Sequence, residues 1–320
     1  MPFQPLTITA GQNPLVQFDG LITTYFLDTP PGTAFQIKQI YKPLPKDLKT
    51  RSEAANAYRG PPRHFHPNQT ERFKVVKGRV GIEVNGKTSV LGPEGGVAVC
   101  LAGNIHRFYV DVSQDDNGDV SGEKTISNGQ KRRGKGDDDV DNEETIILIN
   151  ITDSGKDLAM DRVLLENWYG LRHDSLKYGK GIDYIQQCCT FDAGAHYLPF
   201  PDTLPNFVPE NWSLRIRTFL GYWITILVGR WIGGLLGYQP FFREYTTDWE
   251  YAHAKMRHTW FYKKNLEVAY RHRTPWAELE KLDSWSNERA SRMDTVNDFE
   301  QLTNGIRAEK HGTNEEAIET

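Results

Sequence analysis

The sequence predicts a mainly β fold, a barrel or double-sheet jelly roll, followed by a helical C-terminal extension. Short stretches of alternating apolar and polar residues recur over residues 1–152, and turn signals separate them at the spacing of antiparallel strands. From residue 153 onward the apolar spacing becomes helical. We therefore divide the chain into a β part, 1–152, and a helical, aromatic-rich part, 153–320.

The clearest strand signals lie in the middle of the β part. In "RVGIEVNGKTSVL" the residues Val80, Ile82 and Val84 fall on one face, and Asn85-Gly86 supplies a tight turn. "GTAFQIKQIYKPL", "VAVCLAG", "HRFYVDV" and "TIILINI" are further predicted strands. Side chains alternate across each of them, so one face can close a core.

Residues 113–144 have almost no apolar side chains and carry blocks of both charges. Such a segment cannot offset its ordering entropy by burial, so we predict a disordered loop. Because a β-rich run follows at once, the loop is expected to be an insertion between two strands of one domain.

The helical part contains the most apolar stretch of the chain, residues 219–242. It is long enough to cross a bilayer, but Arg230 at its middle disfavours a span by about 2.5 kcal/mol or more. Three interpretations stay open: packing on the barrel, which we favour, a homodimer contact, or a membrane-surface anchor aided by Trp223 and Trp231.

Composition excludes some classes of function. The net charge is −4 without a dominant basic stripe, which argues against a nucleic-acid partner. The N-terminal sequence lacks a signal-peptide pattern, so a cytoplasmic protein, with membrane association through 219–242 left open, is expected. Three cysteines are too few for a disulfide framework, and we expect Cys188 and Cys189 to be reduced.

The segment "PPRHFHPNQTERFKVVKG" suggests a metal site. His64 and His66 are two residues apart on a predicted strand, so their imidazoles share a face, and Glu71 follows after a short bend. His106 begins a later strand that can lie beside the first. Imidazoles and a carboxylate that converge inside a barrel suit a divalent transition metal with open positions.

These residues resemble the two motifs of the cupin superfamily. The first reads His64-x-His66-x4-Glu71-x6-Gly78, and the second keeps Gly95, Gly103 and His106. The second motif departs from the pattern at two positions, where Leu101 replaces proline and Val110 replaces asparagine. The resemblance covers about residues 20–152 and implies a cupin jelly-roll barrel whose interior metal is held by His64, His66, Glu71 and His106.

The sequence does not specify which metal ion binds. Iron(II) suits dioxygen chemistry and is favoured, with manganese, nickel and zinc as alternatives. We predict Arg63 and Tyr109 as substrate-binding residues, although such residues are more often strand-face residues in contact with solvent. No catalytic side chain is assigned, and the remaining histidines, which show no ligand spacing, are interpreted as structural: His173, His196, His253, His258 and His272.

A cupin with a helical, aromatic-rich extension ending "GYQPFFREYTTDWEYA" resembles cupin-domain oxidoreductases of fungal polyketide gene clusters, of the salicylaldehyde-producing type. The resemblance implies a metal-assisted tailoring step on a small lipophilic polyketide. Two alternatives are a metal-independent cyclase or isomerase and a non-catalytic small-molecule-binding cupin. A homodimer is expected by analogy only.

Overall fold

A computed structural model describes residues 3–43, 60–110, 144–178, 181–202, 204–205 and 208–257. The predicted disordered loop, apart from its last residue, lies outside the described residues. So do His258, His272 and most of the aromatic and basic segment that ends the helical part.

Nine antiparallel strands form two sheets among the described residues. Their bounds are β1 Leu15–Gln17, β2 Ile22–Leu27, β3 Thr33–Tyr41, β4 Glu71–Lys77, β5 Val80–Val84, β6 Lys87–Leu91, β7 Val97–Cys100, β8 His106–Val110 and β9 Thr145–Thr152. The larger sheet has the order β1-β2-β3-β9-β4-β7, and the smaller has the order β6-β5-β8. Single 3-10 turns occur at Phe18–Gly20 and Pro93–Gly95. This is the double-sheet jelly roll that the sequence predicts.

The strand that follows the long insertion returns to the larger sheet. β9 pairs with both β3 and β4, and its alternate residues Ile147, Ile149 and Ile151 are buried between the sheets. β9 is hydrogen-bonded on both edges, and its second face is only partly exposed, which explains the nearly continuous apolar sequence of this segment. The strands on either side of the insertion, β8 and β9, thus lie in the two sheets of the same jelly roll.

The hairpin between β5 and β6 is also as predicted. Asn85 and Gly86 both have positive φ, 51° and 84°, which the tight turn requires. Val80 and Ile82 point into the core. The opposite face is covered as well, because the Tyr109 ring packs so closely on Gly81 that a Cβ there would lie 2.2 Å from it.

Within the described part of the chain, four helices follow the barrel: α1 Arg162–Lys177, α2 Tyr184–Ala193, α3 Glu210–Leu236 and α4 Trp249–Arg257. The stretch Ile226–Gly233 of α3 is π-helical. Asp161 caps α1, its carboxylate accepting a hydrogen bond from the Leu164 N–H. Buried residues of α1 and of the strands form one hydrophobic cluster, so the change at residue 152 is one of secondary structure within a common core. Cys188 and Cys189 lie on α2 as free thiols, as predicted.

The inner face of α3 is made of small residues. Gly221, Thr225, Gly229 and Gly233 are buried, and a Cβ on Gly229 would lie 2.4 Å from the carbonyl oxygen of Cys188. Glycine thus allows the backbones of α2 and α3 to approach. The central Arg230 binds the buried Asp192 on α2 through two hydrogen bonds of 2.7 and 2.9 Å.

The outer face of α3, in contrast, is made of bulky apolar residues. Its bulky apolar residues, spaced by four, are exposed by 46–66%, and we call them the outer stripe: Phe219, Trp223, Leu227, Trp231 and Leu235. By length and composition alone α3 could span a membrane, yet one third of its most apolar window is buried against the protein. The favoured interpretation is packing on the barrel. The inner face packs on α2, and the outer stripe is exposed.

Candidate metal centre

The local backbone brings the histidines of the first motif beside the histidine of the second. His64 and His106 form an antiparallel bridge, with N–H···O distances of 2.9 and 2.8 Å in the two directions. The carbonyl of His66 accepts a hydrogen bond from the N–H of Gly103, which has φ +81°. The glycine of the second motif therefore provides a left-handed turn that sets His106 opposite the first pair.

Glu71 completes the group from the start of β4. Its Oε2 atom lies 3.1 Å from Nε2 of His66, 2.9 Å from Nε2 of His106 and 3.8 Å from Nε2 of His64. All four side chains are buried, and their candidate ligand atoms lie within 4.8 Å of one another. The four residues predicted as metal ligands are thus brought together at one point.

The second nitrogen of each imidazole is fixed by a backbone carbonyl. Nδ1 lies 2.8 Å from the Pro62 carbonyl oxygen in His64, 2.7 Å from that of Gln69 in His66, and 2.8 Å from that of Asn104 in His106. A carbonyl only accepts, so Nδ1 carries a proton in each ring and Nε2 is the ring atom that faces the centre. Ring orientation by such neighbours is typical of histidines that bind metals.

The electrostatics favour this ligand-ready state. Burial, assisted by the nearby His106, lowers the pKa of His64 to about 4, so this ring is neutral near pH 7. Burial alone would raise the pKa of Glu71, but hydrogen bonds from the surrounding histidines, His106 first, hold that pKa well below its ordinary value. The centre therefore combines an ionised carboxylate with a neutral imidazole.

The residues present fit a divalent transition metal. Nε2 of His64 is buried and has no hydrogen-bond partner among the described residues, a costly arrangement unless another group fills the gap. Three imidazole nitrogens and one carboxylate oxygen are separated by distances compatible with ligand bonds of about 2.0–2.2 Å to one ion. This donor set leaves coordination positions open for small molecules.

A cavity of about 40 Å³ adjoins the centre and is lined in part by His64 and Glu71. The two sheets supply mainly apolar and aromatic walls, and α1 closes the opposite side with Leu165, Trp168 and Arg172. The spacing of these three residues, i, i+3 and i+7, places them on one helical face. The helical extension therefore contributes directly to the site.

The two predicted substrate-binding residues lie elsewhere. The Arg63 guanidinium binds Glu83 at 2.7 Å and Asp202 at 2.9 Å. Tyr109 alternates with the inward residues of β8 and packs on the outer face, over Gly81. Neither is among the described residues that line the cavity. Their contact with substrate stays a prediction.

One residue that we interpreted as structural lies at the centre. The His196 ring stacks on His64 with centroids 4.1 Å apart and an angle of 17° between the planes, and it lines the same cavity. No local spacing indicated this, because 130 residues separate His196 from His66 in sequence. The bridge between Phe65 and Tyr197 brings the two segments together.

Comparison with known proteins identifies close relatives. The chain is 59% identical to "Oxidoreductase OpS7" of Beauveria bassiana over 92% of this chain and 90% of the relative. It is 40% identical to "Epoxidase atD" of Aspergillus terreus over 88% of this chain and 78% of that protein. "Probable oxidoreductase patJ" of Penicillium expansum is 37% identical, with 88% and 77% covered.

Other comparisons are less informative. No family model matches the sequence. Among solved structures, a cupin 2 conserved barrel domain protein from Leptotrichia buccalis aligns with 43% of this chain and 44% of its own at 13% identity, with a TM-score of 0.25. The sequence relatives are the decisive finding, because their similarity extends over 88–92% of this chain. The chain belongs to this family of fungal oxidoreductases.

Proposed function

We propose that this protein is a metal-dependent oxidoreductase that modifies a small lipophilic intermediate, of polyketide origin, in fungal secondary metabolism. The observation that carries the proposal is the convergence of His64, His66, Glu71 and His106 beside an enclosed, largely apolar cavity. The relatives, which include an epoxidase, support oxidation–reduction as the reaction class.

His64, His66, Glu71 and His106 would hold the metal. A bound divalent ion would supply Lewis acidity toward a substrate oxygen and, as iron(II), redox chemistry with dioxygen. The backbone carbonyls at Nδ1 keep the three imidazoles oriented. The aromatic walls and α1 exclude bulk water from the substrate, which strengthens the electrostatic interactions inside the cavity.

The test is metal content and turnover measured together on purified protein. We expect about one divalent transition metal per chain in the wild type and loss of most of it in His64→Ala and Glu71→Gln, together with the activity. Glu83→Gln is the matched control, because Glu83 is also buried but binds Arg63 and Arg107 away from the centre. This control is expected to retain the metal.

Two other functions predict different outcomes in the same assay. A metal-independent cyclase or isomerase would keep full turnover after the metal is removed with a chelator. A non-catalytic binding protein would hold the product tightly without turnover. Either result would contradict a metal-dependent oxidoreductase.

The outer stripe supports a place of action at a membrane surface. Of the four charged residues of α3, Glu210 and Arg215 are exposed near its start, before the outer stripe. The other two turn toward the protein: Arg217 donates to backbone carbonyls at Pro201 and Asp202, and Arg230 binds Asp192. The stripe is thus uncharged, with Trp223 and Trp231 in it, as in helices that lie in the membrane interface.

Sequence beyond α4 adds positive charge suited to anionic lipid headgroups. Residues 258–273 include Lys263, Lys264, Arg271 and Arg273 and a single acidic residue, Glu267. The inner face of α3 is bound to the folded protein, so the helix would lie on the bilayer and not cross it.

A further inference from the structure

A buried glutamine lies in the turn that joins two of the metal-site residues. Pro67 and Asn68 in this turn are exposed, whereas only 1% of Gln69 is exposed. Burial of a side-chain amide costs free energy unless its donor and acceptor groups are paired. The position of Gln69 between His66 and Glu71 therefore calls for a reason in the surroundings of its side chain.

The Gln69 side chain binds the backbone that leads into the helical part. Its oxygen accepts a hydrogen bond from the Met160 N–H at 2.7 Å, and its nitrogen donates to the Met160 carbonyl at 2.9 Å. The same nitrogen donates to the carbonyl of Thr152, the last residue of β9, at 3.0 Å. A backbone N–H only donates, which fixes the orientation of the amide. One side chain thus joins the barrel to the segment before α1.

The segment that Gln69 binds is held on both sides of Met160. Asp161 caps α1. Lys255 of α4, which is buried, donates to the Ala159 carbonyl at 2.8 Å and to the Asp161 carboxylate at 2.6 Å. Two helices of the extension, α1 and α4, therefore set the position of the backbone groups to which the Gln69 amide is bound.

The backbone of Gln69 faces the metal centre. Its carbonyl oxygen lies 2.7 Å from Nδ1 of His66, and Nε2 of the same ring lies 3.1 Å from Oε2 of Glu71. The next residue, Thr70, donates its N–H to the Thr152 hydroxyl at 2.9 Å and accepts from the Thr152 N–H at 3.0 Å. The turn is thus anchored at two successive residues, and its Gln69 carbonyl orients the ring of His66.

We propose that Gln69 is a positioning residue of the metal centre: its bonds to Met160 fix the Gln69 carbonyl, and this carbonyl directs Nε2 of His66 toward the metal. The inference rests on the proposed function, because it concerns the same metal site. It gives the helical part a role in orienting a metal ligand, in addition to closing the cavity. Loss of a group that orients a metal-binding histidine weakens metal binding by about ten- to a hundredfold.

A purely structural role of Gln69 makes a different prediction, and Gln186 on α2 provides the matched control. Gln186 is also fully buried, and its side-chain nitrogen donates to the Gln239 carbonyl at 2.6 Å and to the Thr190 hydroxyl at 3.2 Å. Methionine in place of either glutamine keeps a similar side-chain length and leaves a buried carbonyl without its donor. Both variants should therefore lower the melting temperature.

The experiment uses the full-length protein after chelator treatment, at a low temperature at which circular dichroism shows each variant to be folded. Cobalt(II) is the probe, because a titration gives its affinity and its visible absorption reports the ligand geometry. In the metal-free protein, nuclear magnetic resonance of ¹⁵N-labelled histidine rings reports which nitrogen of His66 carries a proton. The variants are Gln69→Met, Gln69→Glu and Gln186→Met.

We expect Gln69→Met to bind cobalt(II) about tenfold or more weakly than the wild type, with a changed absorption spectrum. Its metal-free form should lose the fixed proton at Nδ1 of His66. Gln69→Glu keeps an acceptor for the Met160 N–H, so it should show a smaller loss in the same direction, and it decides the question if Gln69→Met does not fold. Gln186→Met should match the wild type in affinity, spectrum and ring signals.

Two results would overturn the proposal: wild-type cobalt affinity and ring signals in the Gln69 variants, or an equal loss of affinity in Gln186→Met. Failure of the proposed function appears separately. A wild type that binds no cobalt(II), yet whose Nδ1 proton signal of His66 is lost in Gln69→Met and kept in Gln186→Met, would refute the metal site and retain the orientation of His66 by Gln69.

Discussion

The protonation of individual residues at the centre couples the site to the stability of the protein. His64 is buried as a neutral ring, and burial also lowers the pKa of His173 and, more strongly, of His196. When the chain unfolds, these rings regain their ordinary pKa and bind protons. Low pH therefore favours the unfolded chain over the folded protein.

This coupling predicts the direction of the pH dependence in the metal-free protein. The pKa of His64 is about 4 in the fold and 6.5 when unfolded, so its contribution is fully present above pH 6.5 and is lost as pH falls toward 4. The contribution of Glu71, whose pKa is also depressed, is lost below pH 4.5. For His64 the full loss is on the order of 3 kcal/mol.

Urea unfolding of chelator-treated protein between pH 7.5 and pH 4.5 measures this effect. We expect the free energy of unfolding to fall as pH is lowered from 6.5, and to fall less steeply in His64→Phe, which keeps the aromatic stacking but cannot take up a proton. A free energy that stays constant across this range in the wild type would contradict the buried, neutral state of His64.

Single residues also mark the limit of prediction from the sequence. The four metal-site residues were predictable because they match the two cupin motifs, in which Gly103 marks the turn before His106. The position of His196 was not predictable, since it depends on a bridge between Phe65 and Tyr197 that neither local sequence indicates. The same holds for the partner of Arg230, because Asp192 lies on another helix.

At the scale of secondary-structure elements, the strands were the easiest to predict. Alternation in β3 and β9 and the Asn85-Gly86 turn have local physical causes, the pleat and the positive φ angles. The orientation of α3 was harder to predict than the strands, because both faces of this helix are rich in apolar residues. Small residues spaced by four, from Gly221 to Gly233, are the signal that distinguishes the packed face from the outer stripe.

The outer stripe of α3 leads to a prediction about membranes. We expect the wild type to sediment with vesicles of phosphatidylcholine and phosphatidylserine, and the triple variant Trp223→Ser, Leu227→Ser, Leu235→Ser to bind at least tenfold more weakly. Each serine removes apolar area worth about 1 kcal/mol or more when buried in lipid. The folded domain should be unaffected because these side chains already face outward.

The matched control is Val97→Ser with Val99→Ser, which removes two exposed apolar side chains from β7 instead. This control should bind vesicles as the wild type does. Absence of vesicle binding by the wild type would contradict the prediction. If the wild type were instead a dimer by size-exclusion chromatography, and the α3 variant a monomer, the outer stripe would be an interface between two copies.

At the scale of the whole molecule, the N-terminal segment, α1 and the segment before α4 meet at one carboxylate. Asp174 is fully buried near the end of α1 and accepts hydrogen bonds from the Leu6 N–H at 2.6 Å and the Tyr245 hydroxyl at 2.5 Å. Thr7 donates to it through both its backbone N–H and its hydroxyl. Because α1 also lines the cavity, this junction anchors the helix that closes the site.

Asp174→Ala should therefore destabilise the whole molecule and not only one end of it. The variant leaves four donors without their acceptor in a region with little access to water, a loss of roughly 3–5 kcal/mol in the free energy of unfolding. For a protein of this size that corresponds to a decrease of about 10 °C in the melting temperature. Differential scanning calorimetry measures this decrease in melting temperature.

The control is Asp202→Ala, which removes an exposed carboxylate paired with Arg63 and should cost less than about 1 kcal/mol. Equal melting temperatures in the two variants would show that the three segments are held together by apolar packing and that Asp174 adds little.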